Sequence, residues 1–254
     1  MKDNTIVVKL SGKALGGVEE LSNLFKSCKD QRLVVVHGGG VEVDALFKAL
    51  NLEVTKKDGL RVSPKEQMPY ISAALAGMCN KGLQALGIKS GSKTLGLLCS
   101  DGNTISVKQM SEDLGMVGVV EPASPDFLNM LLDNGYTPVI ASLAHDENGE
   151  LYNVNADDAA LAIARVLEAP LYYISDVPGV LDKNGNLIVE LDESSVKALI
   201  DDGTISGGMI VKVKSALDAT RLIKKPVYIA SYKDPNLCSC LVSRQRLGTV
   251  FNVK

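Results

Sequence analysis

The chain has 254 residues, of which 46% are hydrophobic and 22% charged, a balance typical of a globular protein and not of a disordered one. Its net charge of −3 argues against general nucleic-acid binding, which needs a basic surface to meet the phosphates. The apolar runs, such as 33–36, are too short to cross a bilayer, so no membrane association is predicted. Five scattered cysteines favour reduced thiols in the cytoplasm over a disulfide framework, and no metal site is predicted.

The first half of the chain alternates short apolar runs with helical patterns, which predicts a parallel sheet covered on both faces. Strands are predicted at 5–10, 33–37, 94–99 and 137–142, and helices at 18–29, 40–50, 64–86 and 124–134. Hairpins are expected over 53–62, where Asp58-Gly59 is a turn signal, and around 104–120.

The second half continues in the same way. An extended segment at 151–155 leads into Asn155, which is predicted to cap a helix over 156–167. A strand at 171–175, helices at 193–201 and 207–224, and strands at 227–231 and 249–252 complete the pattern. No linker divides the chain, so we expect one continuous sheet with two lobes, the second of which begins near residue 171.

Two predicted strands end in small residues, at Lys9-Leu10-Ser11-Gly12 and at His37-Gly38-Gly39-Gly40. Ligands of open parallel sheets bind beyond the carboxyl ends of the strands, and glycines there let backbone N–H groups approach an anion. The glycines could merely turn the chain, but two such turns with Lys9 beside one favour an anion site. Neither a Walker A loop nor a dinucleotide fingerprint is present, so a phosphate site would be built differently.

Two further groups of residues could carry chemistry. Asn153 and Asn155 share one face of an extended segment that runs into Asp157, although Asp157 could serve only the helix dipole. Lys212 follows an apolar stretch, where it could equally extend along the surface to reach water. Lysines, glycine turns, amides and an aspartate together favour phosphoryl transfer, and an ionised carboxylate as acceptor would need no general base.

Seven motifs carry a resemblance that extends over almost the whole chain. They are KLSG at 9–12, VVHGGG at 35–40, DGLRV at 58–62, ALAG with Asn80-Lys81 at 74–81, NVNAD at 153–157, SDVPGVL at 175–181 and GGMIVKV at 207–213. With these motifs the sequence resembles the amino-acid kinase family. GLRV and NVNAD at this separation are specific to its acetylglutamate-phosphorylating branch, whereas KLSG and DVPG are shared more widely.

The resemblance implies an α/β fold, an open αβα sandwich of the carbamate kinase-like type with a mainly parallel central sheet. It implies a single domain over 1–254, with an acetylglutamate site in the lobe at about 1–170 and an ATP site in the lobe at about 171–254. The implied reaction moves the ATP γ-phosphoryl group to the side-chain carboxylate of N-acetyl-L-glutamate, a step of arginine biosynthesis. Mg²⁺ would arrive with ATP, and the protein would be a cytoplasmic homodimer.

The resemblance also implies roles for individual residues. The catalytic residues would be Lys9 and Lys212 as cations, Asp157 as the organiser of both, and Gly12, Gly39 and Gly40 as backbone donors. The acceptor would be bound by Arg61, Asn153 and Asn155 together with Gly39 and Gly40, with Arg61 gripping its α-carboxylate. The nucleotide would be bound by Asp176, Val177, Pro178, Gly179, Val180, Leu181, Thr204, Ile205 and Ser206.

Three departures and two rivals qualify this expectation. Ser11 and Gly207 differ from the usual pattern of the branch, and both bear on nucleotide affinity. The extra N-terminal helix of hexameric, arginine-inhibited members is absent, so an arginine-insensitive dimer is expected. One rival is another kinase of the family, acting on carbamate, aspartate, uridylate or a longer amino-acid analogue. The other is a catalytically silent nucleotide- or effector-binding regulator, for which loss of Lys9, Lys212 or Asp157 would be the hallmark.

Overall fold

The computed structural model describes residues 4–252, and its centre is an eight-stranded sheet. The strands of the chain are β1 (Thr5–Leu10), β2 (Arg32–His37), β3 (Lys56–Lys57), β4 (Leu60–Arg61), β5 (Lys93–Leu98), β6 (Ile105–Gln109), β7 (Val117–Pro122), β8 (Tyr136–Ala141), β9 (Leu143–His145), β10 (Leu151–Val154), β11 (Leu171–Ser175), β12 (Val180–Leu181), β13 (Leu187–Ile188), β14 (Glu190–Leu191), β15 (Val227–Ser231) and β16 (Thr249–Phe251).

The α-helices pack on both faces of the central sheet. They are α1 (Val18–Ser27), α2 (Gly40–Ala49), α3 (Met68–Ser72), α4 (Asn80–Lys89), α5 (Asp126–Asp133), α6 (Ala156–Leu167), α7 (Glu193–Asp201), α8 (Gly208–Ile223) and α9 (Leu237–Ser243). The strand order of the sheet is β14-β16-β15-β11-β1-β2-β8-β5, and all neighbours pair in parallel except β15 with β16. The mainly parallel central sheet predicted from the sequence is therefore confirmed.

Alternation along β1 assigns its side chains to two separate cores. Ile6, Val8 and Leu10 belong to the core that contains residues of α1 and α9, whereas Val7 belongs to the core that contains residues of α6 and α8. Because successive side chains of a strand point to opposite faces, Lys9 lies on the face of Val7. The sheet thus directs the one charged side chain of β1 toward α6 and α8.

A second, separate sheet corrects the expectation of one continuous sheet. It has four strands in the order β6-β7-β10-β9, with β7 and β10 parallel and the other neighbours antiparallel. Along β6, Ile105 and Val107 are buried whereas Ser106 and Lys108 are exposed. A strand with one wet face suits the outer position of an antiparallel pair better than a central parallel sheet covered on both sides.

The helix predicted over 64–86 is also corrected, because it is four consecutive pieces. A 3₁₀ turn at Lys65–Gln67 precedes α3, and a π-helical stretch at Ala73–Cys79 joins α3 to α4. The wider π turn carries Leu75 and Cys79 onto the glycine-rich end of β2, as π turns often do beside functional sites. Neither α9 nor β9 is predicted by the sequence pattern. Within residues 4–252, no helix is long and apolar enough to span a membrane.

Candidate functional site

Lys9 and Asp157 form an ion pair at the carboxyl end of the sheet. Lys9 Nζ lies 2.7 Å from Asp157 Oδ1, and the lysine side chain is only 15% exposed. Asp157 occupies the first turn of α6, where the N-terminal end of the helix dipole favours a negative charge. Tyr173 is the register partner of Lys9 on the neighbouring strand β11, so the two side chains lie side by side. A partly buried lysine is thus held in place by a helix terminus.

Asn155 caps α6, as the sequence analysis predicted. Its Oδ1 atom accepts hydrogen bonds from the backbone N–H groups of Asp157 at 2.8 Å and Asp158 at 3.4 Å. A Cβ atom on Gly38 would come within 3.2 Å of Ala156 Cβ, so the glycine lets the turn after β2 approach this helix start closely. The capped end of α6 is therefore fixed against the glycine-rich turn.

A small cavity of about 50 Å³ brings both predicted catalytic lysines together. Its lining includes Lys9, Asp157 and Lys212, with Tyr173 and Ser11 beside them. Lys212 lies in the first turns of α8 and is exposed, which agrees with a lysine that reaches water from an apolar helix. Among the ion pairs of residues 4–252, Asp157 pairs with Lys9 and not with Lys212.

The ionisation of two neighbours of this cavity follows from burial. Burial raises the pKa of Tyr173 well above its ordinary value, and the charges of Asp157 and Asp158 raise it further. Burial likewise raises the pKa of Asp158, with a smaller contribution from Asp157. The Tyr173 hydroxyl is thus neutral at pH 7, and the positive charge of the cavity comes from Lys9 and Lys212.

The two glycine-rich turns are neighbours and are closely packed. A Cβ atom on Gly12 would lie 3.4 Å from Val41 Cγ2, at the start of α2. A Cβ atom on Gly39 would lie 2.7 Å from Cys79 Sγ and 2.8 Å from Leu75 Cδ2, both on the π-helical stretch. Gly39 therefore has no room for a side chain, whatever its role toward a ligand.

His37 braces the turn that follows it, a role that the sequence analysis did not predict. Its Nδ1 atom donates to Gly38 O at 2.7 Å, and its Nε2 atom accepts from Asn80 Nδ2 at 3.0 Å. Asn80 Nδ2 also donates to Val139 O at 2.8 Å. Burial lowers the pKa of His37 to about 4, so the ring is neutral at pH 7 and this pattern of one donor and one acceptor persists.

A larger cavity of about 230 Å³ collects the predicted acceptor-binding residues. The predicted residues that line it are Gly39, Gly40, Arg61, Asn153 and Asn155. Asn153 Nδ2 donates to Ser63 Oγ at 3.1 Å, which fixes the orientation of that amide. Asn153 and Asn155, which are predicted to share one face of the extended segment, both line this single cavity.

Arg61 is the best-buried cation of the larger cavity, with 8% of its side chain exposed. Its Nη2 atom donates to Asp44 and to Gly40 O, the latter at 3.3 Å, and its guanidinium carbon lies 5.4 Å from the centre of the Phe47 ring. The Nη1 atom is buried and has no hydrogen-bond partner among residues 4–252. A buried guanidinium with an unsatisfied nitrogen is suited to bind an anion from the cavity.

The two cavities meet at the start of α6. Asn155 and Ala156 line the larger cavity, and the next residue, Asp157, lines the smaller one. A ligand in the larger cavity and a charged group beside Lys9 would therefore contact consecutive residues at the same helix start. This arrangement can hold two reactants next to each other, with cations at the junction.

The predicted nucleotide segments, 176–181 and 204–206, line neither cavity. Asp176 directly follows β11 and pairs with Lys13 at 2.6 Å, and this hydrogen bond lowers the pKa of Asp176. Val180 and Ile205 are buried in the core, and the Val180 N–H donates to Thr249 Oγ1 at 2.8 Å. The buried side chains of Val180 and Ile205 are therefore not accessible to a ligand at the surface.

The sheet order and the lysine-and-glycine site define a class of protein, and comparison with known proteins identifies it. The amino acid kinase family matches residues 4–231, and the chain belongs to this family. The fold is the amino acid kinase fold, as the sequence analysis expected.

Several solved structures are similar over the full length of the chain. The protein smu.665 from Streptococcus mutans is 29% identical, with a TM-score of 0.80 and complete coverage of both chains. The N-acetylglutamate synthase of Neisseria gonorrhoeae, solved with coenzyme A and N-acetyl-glutamate, is 22% identical with a TM-score of 0.84; the present chain is wholly covered but spans only 60% of that synthase. The carbamate kinase of Giardia lamblia, bound to AMP-PNP, is 16% identical with a TM-score of 0.68 and complete coverage of both chains.

Proposed function

We propose that the protein transfers the γ-phosphoryl group of ATP to the side-chain carboxylate of N-acetyl-L-glutamate, forming N-acetyl-L-glutamyl 5-phosphate, a step of arginine biosynthesis. The observation that carries the proposal is the junction at α6, where a cavity with a buried arginine adjoins a cavity with two lysines. Membership of the amino acid kinase family supports phosphoryl transfer as the type of reaction.

The charges of the smaller cavity suit this reaction. In phosphoryl transfer the protein mainly positions the reactants and stabilises negative charge spread over the phosphoryl oxygens. Lys9 and Lys212, which line the smaller cavity, would supply the positive charge. The N–H groups of Gly39 and Gly40, which line the adjoining larger cavity, and of Gly12, which lines neither cavity, would donate to the same oxygens. One carboxylate oxygen of the acceptor would form the new bond to phosphorus as the bond to ADP breaks.

An acceptor that is already ionised agrees with the ionisation of the site. The most deeply buried titratable group near the turn is His37, which is neutral and engaged on both ring nitrogens, so it is not available as a base. A carboxylate acceptor is charged at pH 7 and loses no proton in the reaction, whereas a hydroxyl acceptor would need one removed.

The larger cavity supports an N-acylated amino acid as the acceptor. Arg61 lines this cavity with a guanidinium whose Nη1 atom has no partner among residues 4–252, and a planar guanidinium is a suitable partner for an α-carboxylate. The Asn153 amide is oriented by Ser63, and its remaining oxygen could accept from an amide N–H of the ligand. A free α-amino group would bring a positive charge beside Arg61, so we expect the acylated form to bind better.

ATP with Mg²⁺ belongs to the same proposal. The smaller cavity, at about 50 Å³, has the donors that a phosphate needs but room only for its reacting end. The base and ribose would therefore lie outside it, and we propose the surface of 176–181 and 204–206 as their site. Among residues 4–252, no group of three or more His, Cys, Asp or Glu side chains could hold a metal ion, so we assign no metal ligand to this chain.

A homodimer in the cytoplasm completes the proposal. The apolar side chains of Val18, Met78 and Ile88 are between 58% and 60% exposed. Met78 lies in the π-helical stretch and Ile88 in α4, which follows it. A second copy of the chain would cover such side chains. Light scattering tests the proposed dimer, and a monomer at micromolar concentration would contradict it.

A hydroxamate assay tests the proposed reaction. Acyl phosphate is trapped with hydroxylamine in the presence of ATP, Mg²⁺ and one acceptor at a time: N-acetyl-L-glutamate, N-acetyl-L-aspartate, L-glutamate, L-aspartate or carbamate. We expect product with N-acetyl-L-glutamate above all others, and product with another acid instead would refute the proposed substrate.

A pair of arginine variants sharpens this assay. Arg61→Lys keeps the charge but removes the planar fork, so it should raise the acceptor KM by about 10-fold or more. Arg165→Lys is the matched control, because Arg165 forms a more exposed pair with Glu121 away from both cavities. An equal effect of the two substitutions would contradict the assigned role of Arg61.

A further inference from the structure

One carboxylate, that of Asp44, contacts both strands of the small hairpin that lines part of the larger cavity. Asp44 lies in α2, and it accepts hydrogen bonds from Arg61 Nη2 and, at 3.1 Å, from Lys56 Nζ. Lys56 on β3 and Arg61 on β4 are direct register partners. The carboxylate therefore contacts the two strands at the same level of the hairpin.

The hairpin has little stability of its own. Each strand has two residues, and they are joined by Asp58 and Gly59, both with positive φ, as a tight hairpin turn requires. An isolated two-stranded hairpin is at best marginally stable in water. Its position beside the cavity therefore depends on contacts with the rest of the protein, and the Asp44 pairs are such contacts.

Asp44 also leaves Arg61 with a single defined orientation. The guanidinium is held by Asp44 on one side, by Gly40 O at 3.3 Å, and by the ring of Phe47 beneath it. The Nη1 atom is buried and has no hydrogen-bond partner within the described chain. Burial alone would raise the pKa of Asp44, but the hydrogen bonds from Arg61 and Lys56 hold this pKa below its ordinary value. The Asp44 carboxylate is therefore charged at pH 7.

We propose that Asp44 is a positioning residue of the acceptor site, which clasps the hairpin to α2 and holds the Arg61 guanidinium in the orientation that binds the acceptor carboxylate. The inference rests on the proposed function for the identity of the acceptor. The clasp itself concerns the ligand-free chain, so it can be tested separately. Asp44 need not touch the acceptor; it acts through Arg61 and through the hairpin.

Two other roles for Asp44 predict different results. If Asp44 competed with the acceptor for Arg61, its removal would strengthen acceptor binding. If it only stabilised the fold, its removal would affect the whole chain and both substrates alike. The clasp predicts a third pattern, in which the hairpin loosens and the acceptor KM rises while kcat and the nucleotide KM stay within twofold.

The experiment uses the full-length variants Asp44→Asn and Lys56→Gln. For Asp44→Asn the acceptor KM should rise roughly three- to tenfold, the size expected when one or two long side chains lose a fixed orientation. Hydrogen–deuterium exchange of the peptide covering 53–62 should become faster in the absence of ligands. Lys56→Gln frees one strand only, so it should raise the acceptor KM about twofold and would report on the clasp if Asp44→Asn failed to fold.

Asp113→Asn is the matched control, because Asp113 pairs with Lys57, the neighbour of Lys56 on the same strand. That pair is more than half exposed on both sides, so its loss should leave the acceptor KM and the hairpin exchange unchanged. A fall in acceptor KM, unchanged exchange at 53–62, or faster exchange throughout the chain in Asp44→Asn would each overturn the clasp. Faster hairpin exchange in a protein that does not phosphorylate acetylglutamate would support the clasp and refute only the proposed function.

Discussion

Lowering the pH from 7 to 5 should destabilise the fold through His37. The ring is fully buried and neutral, and burial lowers its pKa from an ordinary value of 6.5 to about 4. Between these two values the unfolded chain binds a proton that the folded chain excludes, so protonation favours unfolding. The contribution of His37 to stability is therefore complete above pH 6.5 and is lost progressively as the pH falls toward 4.

The size of this effect follows from the two pKa values. Each pH unit inside the window removes about 1.4 kcal/mol, so about 2 kcal/mol is lost at pH 5 and about 3 kcal/mol at pH 4. Against a typical total stability of about 5–15 kcal/mol, this loss is readily measured. Carboxylates with lowered pKa values, such as Asp44, lose their contribution only below their ordinary value of 3.8 and so act at lower pH.

The assay is urea unfolding of the wild type and of His37→Gln at pH 7 and at pH 5. The replacement cannot titrate, so the advantage of the wild type should shrink by about 2 kcal/mol between the two pH values. An NMR titration of the wild type gives the pKa directly, and His145→Gln assigns the signals of the two histidines. If the stability difference between the wild type and His37→Gln were the same at both pH values, or if the His37 imidazole titrated near 6.5, this reasoning would be refuted.

Two further predictions concern the junction of the cavities. Lys212→Ala should lower kcat about 10²–10³-fold, as loss of one transition-state donor does. Lys214→Ala, on the same helix, should leave kcat unchanged, and equal kcat values for the two variants would refute the role of Lys212. Gly39→Ala should lower kcat about 10²-fold because its Cβ would overlap Cys79 Sγ at 2.7 Å and displace the turn. Gly82→Ala, where nothing lies within 4 Å, should keep kcat and gain up to about 1 kcal/mol of stability; matching losses in both glycine variants would contradict the packing argument.

Local signals were sufficient for much of the fold. The helix at Ala156–Leu167 has the bounds that the sequence predicted, because Asn155 supplies the capping oxygen that starts it. The hairpin turn at Asp58-Gly59 was predictable because positive φ at both residues is what that dipeptide tolerates. Short buried strands such as Leu171–Ser175 followed from unbroken apolar runs.

Features that depend on distant contacts were not predictable. The π-helical stretch at Ala73–Cys79 has the composition of an ordinary helix, and its wider turn is apparent only where Cys79 packs on Gly39. The separate four-stranded sheet depends on the pairing of β7 with β10, which no local pattern specifies. The short helix at Leu237–Ser243 has only seven residues, which is too few for a periodic pattern of apolar residues to be recognised.

In the site, too, features that depend on local signals were predictable and features that depend on distant contacts were not. Strand alternation and the KLSG motif single out Lys9, and its proximity to Asp157 agrees with the order of strand and helix in a parallel sheet. The clasp could not be predicted, since Asp44 and Arg61 lie 17 residues apart on elements whose relative position only the folded chain defines. The available signal for Asp44 was its position one turn after the glycine-rich start of α2. A charged residue at such a position indicates by itself only a solvated face.

The most direct test of the proposed reaction uses N-acetyl-L-glutamate with ¹⁸O in its side-chain carboxylate. The protein is incubated with this acid, ATP and Mg²⁺, and the products are followed by ³¹P NMR. We predict an acyl phosphate whose phosphorus resonance shows the isotope shift of a directly bonded ¹⁸O, because the carboxylate oxygen attacks phosphorus. No acyl phosphate, or one without the shift, would contradict the central claim that these two cavities join ATP to a carboxylate.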